Sequence, residues 1–432
     1  MAIVRIPRVA YSVTSQGLVS ACNLLLSLAL LYYSEARHYV AFLLFLNVVQ
    51  LLSGLQNALF ISPVGVLIPR MPALEVARTE RAAYKMTVLI ALTGLPFIAY
   101  FFTRSPRLDP GSLGLTVTIF VATIMLLKRE LARNACMLRS DLAVLVRFDF
   151  LYFAMAMLMA GSAILLHELT FIVAVLAFAL PALVSTLSRP QWPITRTVAA
   201  ETALTAFAPR FWNDVGQVAR WSVPGVIVTW LFSNGYWFIL ERTQDEQTVA
   251  TLGAARLLFA PIGLVIQGWL MQLRPVSVSM AHAGKMVELR RLVIRQSAAG
   301  AAFVMLAAAC GYAMVTWYPH LLPRAMQAEG VTGYVAVWAL YFAVFWLRSG
   351  ISTVHISKTS GFKKVFLANL MVCVLFYALF LLSLNRVPLS VSLTSLIASE
   401  ILMIFLLSRN SHLGIFTAQQ LKNVPIASAG TK

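Results

Sequence analysis

The amino-acid sequence predicts an all-α integral membrane protein with about twelve transmembrane helices in two six-helix lobes and both termini in the cytoplasm. The 432 residues are 60% hydrophobic and only 12% charged, whereas a soluble domain carries about 25% charged residues. The mean hydropathy is +0.81. Apolar runs of about 20 residues recur along the chain, and each is long enough to cross a bilayer as a helix. Short polar segments rich in Lys and Arg separate these runs.

Two groups of apolar runs divide the chain. The first group comprises residues 10–32, 38–62, 83–103, 112–132, 144–166 and 168–188. The second group comprises residues 218–240, 247–272, 296–318, 332–355, 363–384 and 387–408. A polar stretch containing SRPQWPITRT separates the two groups. We therefore predict an N-terminal six-helix lobe, a cytoplasmic connector, a C-terminal six-helix lobe and a cytoplasmic tail, at residues 1–188, 189–217, 218–410 and 411–432.

The basic residues determine the predicted orientation. The net charge is +18, from 34 Lys and Arg against 16 Asp and Glu. In a soluble protein such an excess suggests nucleic-acid binding, but here most of the basic residues fall in one set of alternate loops. Cytoplasmic loops of membrane proteins carry this kind of excess. Both termini and the connector are therefore predicted to be cytoplasmic, and nucleic acid is not expected as a partner.

The sequence contains no pattern typical of a catalytic or metal site. The cysteines Cys22, Cys136, Cys310 and Cys373 show no paired spacing, so neither a zinc site nor a disulfide framework is expected. The chain has no Gly-rich phosphate loop, no HExxH motif and no paired carboxylates in a loop. We therefore expect no catalytic residues, no bound metal and no cofactor. The activity is expected to take place within or across the membrane.

Polar residues form a strip along each of the first two predicted helices. In the stretch FLNVVQLLSGLQNALF, the residues Asn47, Gln50 and Asn57 fall within one arc of about 120° of the helix surface. Gln16 and Asn23 share one face of the first helix in the same way. Such a strip either holds neighbouring helices together or lines a hydrated cavity. The length of the two strips favours a cavity that binds a polar substrate.

A polar position recurs in the eighth predicted helix. At an offset of 209 residues, QTVATLGAARLLFAPIGL lies under HYVAFLLFLNVVQLLSGL, which pairs Arg256 with Asn47. Gln267 lies on the same helix face as Arg256. An arginine that faces lipid costs about 2.5 kcal/mol or more. Arg256 is therefore expected to face water, an anionic ligand, or an acid in a salt bridge.

The other ionisable residues inside the predicted helices are few. Arg147 and Asp149 lie near the start of the fifth helix, and Arg348 lies in the tenth. Their side chains are predicted either to reach the cytoplasmic interface or to face the cavity, with the arginines binding substrate and Asp149 taking part in ion coupling. Glu400 lies near the middle of the last helix. It is either a coupling site for H+ or Na+ or the partner of a buried arginine.

Three stretches of the sequence resemble one family of membrane transporters. They are LALLYYSEARHYVAFLLFLNVVQLL, KRELARNACMLRSDLAVLVRFDFLYFA and TVATLGAARLLFAPIGLVIQGWLMQLRPVSVSMA. With the layout of the helices, they make the chain similar to polysaccharide transporters of the multidrug/oligosaccharidyl-lipid/polysaccharide (MOP) exporter superfamily. Within that superfamily the chain resembles the lipid-linked oligosaccharide flippases of the Wzx type.

The resemblance implies a V-shaped exporter fold whose central cavity opens alternately to the two sides of the bacterial inner membrane. The implied substrate is an isoprenoid-diphosphate-linked oligosaccharide, moved for cell-surface or exopolysaccharide synthesis. The implied partners are membrane lipid, a polysaccharide polymerase and glycosyltransferases. For such a substrate, arginines suit the diphosphate and amide side chains suit the sugars. Two alternatives stay open: a multidrug or small-molecule exporter of the same superfamily, and a non-transporting scaffold of a polysaccharide assembly complex.

Overall fold

The computed structural model describes residues 6–61, 73–103, 113–138, 141–187, 209–328, 330–356 and 361–412. These residues are helical apart from short turns, and they contain no β-strand. The predicted all-α class is therefore confirmed for this part of the chain. Most of the predicted connector (189–217) and most of the predicted tail (411–432) lie outside the described residues.

Six helices cover the described residues of the first half. They are α1 (Ile6–Tyr33), α2 (Ala36–Gln56), α3 (Ala73–Thr103), α4 (Leu113–Leu138), α5 (Leu142–Leu165) and α6 (Phe171–Leu187). The helix α2 ends in a π-helical turn, Asn57–Ile61. Because lipid offers no hydrogen-bond partners, apolar segments of this length satisfy their backbone groups within the helix itself.

The second half is more interrupted. Its helices are α7 (Pro209–Trp230), α8 (Tyr236–Thr243), α9 (Glu246–Leu257), α10 (Ala260–His282), α11 (Met286–Trp317), α12 (Val331–Ile356), α13 (Gly361–Ser383), α14 (Leu389–Ser392) and α15 (Thr394–His412). A π-helical turn, Leu231–Gly235, joins α7 to α8. The segments α9 and α10 form one bent pair, with an angle of 45° at the break.

Nine helical segments in the described ranges are long and apolar enough to cross a membrane, and ten if the bent pair α9–α10 counts as one span. The helix α6 is apolar but has only 17 residues. The helix α4 carries several charged residues in its C-terminal half. The chain is a multi-pass membrane protein. The count of twelve spans and the cytoplasmic orientation of the termini stay predictions.

The turn between α1 and α2 recurs in the second half. The helix α1 ends at Tyr33 and α2 starts at Ala36, while α8 ends at Thr243 and α9 starts at Glu246. This correspondence spans 210 residues, one more than the offset that the sequence suggested. Exposed and buried positions around the two turns also coincide at this spacing.

The spacing of 210 residues corrects the predicted pairing of Asn47 with Arg256, because it places Leu46 opposite Arg256 instead. Both Leu46 and Arg256 are half-buried. A few matches between common apolar residues do not define a register, whereas the start of a helix does.

The chain divides into two compact units. The first comprises Met1–Trp269 and Phe303–Phe342, and the second comprises Leu270–Ala302 and Ala343–Lys432. In the first unit, α1 packs on α5, α4 packs on α3 and α6, and α2 packs on α9. In the second unit, α13 packs on α15. The first unit therefore combines helices from both halves of the sequence, and the predicted lobe boundaries stay predictions.

Replacing Gly300 by Ala is expected to destabilise the protein, because a Cβ at this position would overlap the indole ring of Trp346. That ring is only 5% exposed, so the buried side chain has to move, at a cost of about 1–3 kcal/mol. The control is Gly311→Ala in the same helix, where the nearest atom to the new Cβ is 3.6 Å away. This variant is expected to be slightly stabilised, because Ala is the better helix former. Thermal unfolding in detergent measures both, and equal melting temperatures would contradict the packing argument.

Candidate functional site

The position of Arg256 is defined by the two ends of α9. At the start, Asp245 accepts hydrogen bonds from the backbone nitrogen of Thr248 at 2.8 Å and from its hydroxyl at 2.6 Å. Burial by itself would raise the pKa of Asp245, but these hydrogen bonds hold it below its ordinary value. A carboxylate at this position caps the free N–H groups of the first turn.

The helix α9 ends one residue after Arg256, and α10 begins at Ala260. Pro261 follows the break. A proline has no N–H to donate and its ring clashes with the carbonyl four residues earlier, so the helix cannot run through this point unbroken. Arg256 therefore lies in the last turn of α9, where the helix dipole favours a positive charge.

Two indole rings support the guanidinium of Arg256. Its Cζ atom lies 5.8 Å from the ring centroid of Trp237 and 5.4 Å from that of Trp338. The two rings stack on each other, with centroids 6.4 Å apart and planes inclined by 13°. The indole nitrogen of Trp338 donates a hydrogen bond to the carbonyl oxygen of Leu252 at 3.2 Å. We refer to Trp237 and Trp338 as the aromatic platform.

Tyr39 of α2 lies beside the same segment of α9. A Cβ at Gly253 would lie 2.7 Å from the Tyr39 hydroxyl oxygen, so the absence of a side chain lets the two helices approach closely. Gly253 lies three residues before Arg256 and thus one turn away. The hydroxyl oxygen of Tyr39 is buried and has no hydrogen-bond partner in the part of the chain that the structure describes.

Arg256 is half-buried. Within the described ranges, no carboxylate oxygen lies within 4.0 Å of its guanidinium. Of the environments predicted for this residue, the salt bridge is therefore not found there. The cation–π contacts stabilise the charge, and the donors of the guanidinium are left for water or an anion.

Unlike Arg256, the arginines of a buried cluster where α1, α4 and α5 meet are paired with a carboxylate. Asp149 is fully buried. Its carboxylate accepts hydrogen bonds from the Ser15 hydroxyl, from Arg129 at 2.6 Å and from Arg133 at 3.0 and 3.1 Å. The prediction that Asp149 reaches the cytoplasmic interface is therefore wrong, since its side chain is enclosed by two arginines. We refer to Ser15, Arg129, Arg133 and Asp149 as the Asp149 cluster.

Three further side chains, those of Glu130, Gln16 and Tyr152, extend the Asp149 cluster. Arg133 forms a salt bridge with Glu130 at 2.9 Å and donates a hydrogen bond to the amide oxygen of Gln16 at 3.4 Å. The guanidinium carbon of Arg129 lies 3.5 Å from the ring centroid of Tyr152. Gln16, predicted as a substrate-binding residue, thus contacts an internal ion pair.

Arg129 and Arg133 were not among the predicted site residues. They lie at or beyond the end of the fourth apolar run and were therefore expected in a basic loop. In the structure they lie inside α4, which continues to Leu138. Their spacing of four residues puts both side chains on one helix face. That spacing, with an aspartate in the next helix, was the available signal.

A second buried ion pair lies in the second unit. Arg348 of α12 binds Glu400 of α15 through two hydrogen bonds, Nε to Oε2 at 2.8 Å and Nη2 to Oε1 at 3.2 Å. Arg348 is 9% exposed and Glu400 is 1% exposed. The prediction that Arg348 reaches the interface is wrong. Of the two roles predicted for Glu400, the structure provides the partner of a buried arginine, and its role in ion coupling stays a prediction.

The predicted polar strips are only partly buried. Asn47 is 2% exposed. Its backbone carbonyl oxygen accepts a hydrogen bond from the Trp230 indole nitrogen at 2.7 Å. Its side-chain amide nitrogen has no hydrogen-bond partner in the described ranges. The amide oxygen of Asn23 is likewise buried without a partner there. The exposed members of the predicted set are Gln50, Asn57, Gln267 and Arg147. Asn57 belongs to the π-helical turn that ends α2.

The predicted site residues thus fall into separate groups. Gln16 and Asp149 come together in the Asp149 cluster, Arg348 and Glu400 form an ion pair, and Arg256 lies on the aromatic platform. The platform residues were not predicted, because they come from α8 and α12, about 100 residues apart in the chain. As for metals, the residues that the structure describes contain no group of three or more His, Cys, Asp or Glu side chains able to hold an ion.

Comparison with solved structures identifies the fold. Neither a family model nor a curated protein sequence matches the chain. Among solved structures, a MATE in complex with MaL6 has a TM-score of 0.65 at 13% identity, and the match covers 96% of each chain. The lipid II flippase MurJ, in an inward closed conformation, has a TM-score of 0.66 at 10% identity and covers 93% of this chain and 87% of MurJ.

A third similar structure is a MOP superfamily transporter from Pyrococcus furiosus, described as having a binding pocket of reverse polarity. Its TM-score is 0.63 at 12% identity, with 96% of each chain covered. At these identities the likeness shows the fold alone. The chain has the fold shared by MATE transporters of the MOP superfamily and by MurJ.

Replacing Asp149 by Asn is expected to destabilise the protein strongly, because two buried arginines lose their shared carboxylate. Breaking a buried ion pair in this way costs about 3–5 kcal/mol. The control is Asp141→Asn at the start of the same helix, where the side chain makes no capping hydrogen bond. The control should change stability by less than about 0.5 kcal/mol. Thermal unfolding of the two purified variants decides, and an unchanged melting temperature for Asp149→Asn would refute the structural role.

Replacing Glu400 by Gln is expected to lower the amount of folded protein, because Arg348 stays buried without its counter-ion. Adding Arg348→Met removes the buried charge and should restore the amount to near the wild-type value. Detergent-resistant folded protein, measured by size-exclusion chromatography, reports both effects. If Glu400→Gln alone is as stable as the wild type, the carboxylate does not serve the ion pair, and a role in ion coupling is favoured.

Proposed function

We propose that this protein is a membrane transporter of the MOP superfamily that moves an anionic, lipid-linked glycan across the bacterial inner membrane by alternating access. The observation that carries the proposal is that the guanidinium of Arg256 contacts aromatic rings and no carboxylate of the described residues. Three other arginines buried in described helices, Arg129, Arg133 and Arg348, are each paired with a carboxylate. Arg256 is held by aromatic faces instead and keeps its hydrogen-bond donors for a ligand.

The chemistry of an isoprenoid-diphosphate-linked oligosaccharide fits this arrangement. A planar guanidinium binds two phosphate oxygens at once, which an ammonium group cannot do. The incomplete burial of Arg256 leaves it open to such a group. Exposed amide side chains of the predicted set, such as Gln50 and Gln267, suit the hydroxyl groups of sugars.

The fold supports a transporter but does not choose the substrate, since the similar structures include multidrug MATE transporters and a lipid II flippase. The charges favour an anion. Asp149 and Glu400, the acids predicted for ion coupling, are both bound to arginines, which reduces their capacity to hold a cationic drug. The net charge of +18 acts in the same direction. A multidrug or small-molecule exporter is therefore the second candidate, and a non-transporting scaffold the third.

Further features of the proposal go with this function. Both termini face the cytoplasm, the substrate moves from the cytoplasmic to the outer leaflet, and H+ or Na+ drives the cycle. A polysaccharide polymerase and glycosyltransferases are the partners that would supply and use such a substrate.

A reconstituted flippase assay tests the proposal. Liposomes containing the purified protein and a fluorescent isoprenoid-diphosphate disaccharide should move the lipid between leaflets. Arg256→Ala is expected to slow this movement at least tenfold, in line with a charge-assisted contact of about 1.5–3 kcal/mol, and Arg256→Lys should slow it less. The matched control is Arg37→Ala, which removes an exposed arginine paired with Glu35 at 2.7 Å and should leave the rate near that of the wild type.

Two outcomes of this assay would contradict the proposal. The first is an unchanged rate in Arg256→Ala at normal protein levels. The second is an absence of glycolipid movement by the wild type together with gradient-driven transport of an organic cation, which would favour the second candidate.

A further inference from the structure

The aromatic platform has the composition of a site for a cation. Cations bind over the faces of indole rings, and sites built from several aromatic residues recognise ammonium ligands in many proteins. Here both indole rings are within cation–π distance of the same position, since Cζ of Arg256 lies within 6 Å of each ring centroid. The cation now at that point belongs to the protein itself.

The platform does not depend on Arg256 for its shape. Trp338 is fixed by its hydrogen bond to the Leu252 carbonyl oxygen and by edge-to-face packing on Tyr341, with centroids 5.6 Å apart. Trp237 is fully buried and stacks on Trp338. Removal of the Arg256 side chain should therefore leave both rings in place, with a cation-sized gap above them.

The region also contains an unused acceptor. The buried hydroxyl of Tyr39 contacts α9 at Gly253, one turn before Arg256, and has no hydrogen-bond partner in the ranges that the structure covers. Tyr39 is 1% exposed. Arg256 itself is half-buried, so this region is not fully enclosed by protein.

We propose that Trp237 and Trp338 form a cation-binding site that Arg256 fills from within the chain, and that Arg256 thereby excludes organic cations and determines the sign of the substrate charge. This inference rests on the proposed function, because it assumes that Arg256 faces the transport path. It makes Arg256 a specificity-determining residue. With the guanidinium in place the surface is positive and binds anions; without it the same surface is an electron-rich aromatic site.

Chemical replacement of the missing group tests the inference. The purified protein in detergent is titrated with N-methylguanidinium chloride and with tetramethylammonium chloride, using sodium chloride at equal ionic strength as the blank. Indole fluorescence reports binding. Arg256→Ala is expected to bind N-methylguanidinium about tenfold or more tightly than the wild type, consistent with cation–π contacts to two rings.

Three further variants make the result specific. Arg256→Lys should resemble the wild type, because its ammonium group still occupies the platform. Arg256→Ala combined with Trp338→Leu should lose the gain in affinity, since one of the two rings is gone. Arg256→Gln is a second neutral variant of similar length and should bind N-methylguanidinium more tightly than the wild type. If Arg256→Ala does not fold, the affinity of Arg256→Gln tests the inference.

The inference is overturned if both neutral variants are folded and bind the cations no better than the wild type. It is also overturned if the gain persists undiminished after Trp338→Leu. The binding experiment involves no glycolipid and no transport. Failure of the wild type to move the glycolipid would therefore remove the proposed function while leaving the cation site intact, and loss of the cation gain would leave the flippase result untouched.

Discussion

A charge inside an apolar helix bundle must be compensated by the protein, because water and ions are not at hand to do so. This constraint accounts for several of the helix contacts in the described structure. The helices α1, α4 and α5 meet where Asp149 binds Arg129 and Arg133. The helices α12 and α15 meet where Arg348 binds Glu400. Arg256 satisfies the same constraint by another means, through the faces of aromatic rings.

An ion pair and a cation–π contact leave a buried arginine with different capacities to bind a ligand. A bidentate ion pair uses up both partners, so Arg348 and Glu400 are well suited to joining two helices and poorly suited to binding a passing substrate. A guanidinium on an aromatic face retains its N–H groups. The break before Pro261 adds to this, because it ends α9 next to Arg256 and prevents a continuous helix from covering the site. An interrupted helix inside a membrane is tolerated where it lines a cavity or is enclosed by protein.

The sequence predicted the features that depend on composition. The all-α class and the positions of the helices follow from apolar runs, and Arg256 stands out because it lies within one. It did not predict the contacts that depend on distant partners. Arg129 and Arg133 looked like loop residues, since only an aspartate in the next helix makes their burial possible. Trp237 and Trp338 come together only in the folded chain.

The register of the internal repeat shows the same limit. The amino acids that suggested an offset of 209 residues are common in every membrane helix, so neighbouring registers match almost as well. The helix starts at Ala36 and Glu246 define the offset of 210. The correspondence between Asn47 and Arg256 was therefore an accident of composition, although each residue keeps its own candidate role.

The Asp149 cluster has a mechanical consequence. Its short contacts tie three helices together at one level. Sliding α4 along α5 would separate the buried carboxylate from both guanidinium groups, and sliding α1 would break the hydrogen bond from the Ser15 hydroxyl. These helices therefore resist shear and deform as one stiff body. The regular helical ladder of the first unit is interrupted elsewhere, at the π-helical turns Asn57–Ile61 and Leu231–Gly235 and at the break between Leu257 and Ala260. We therefore expect that unit to flex at the end of α2, between α7 and α8, and beside Arg256, with α1, α4 and α5 as the rigid frame.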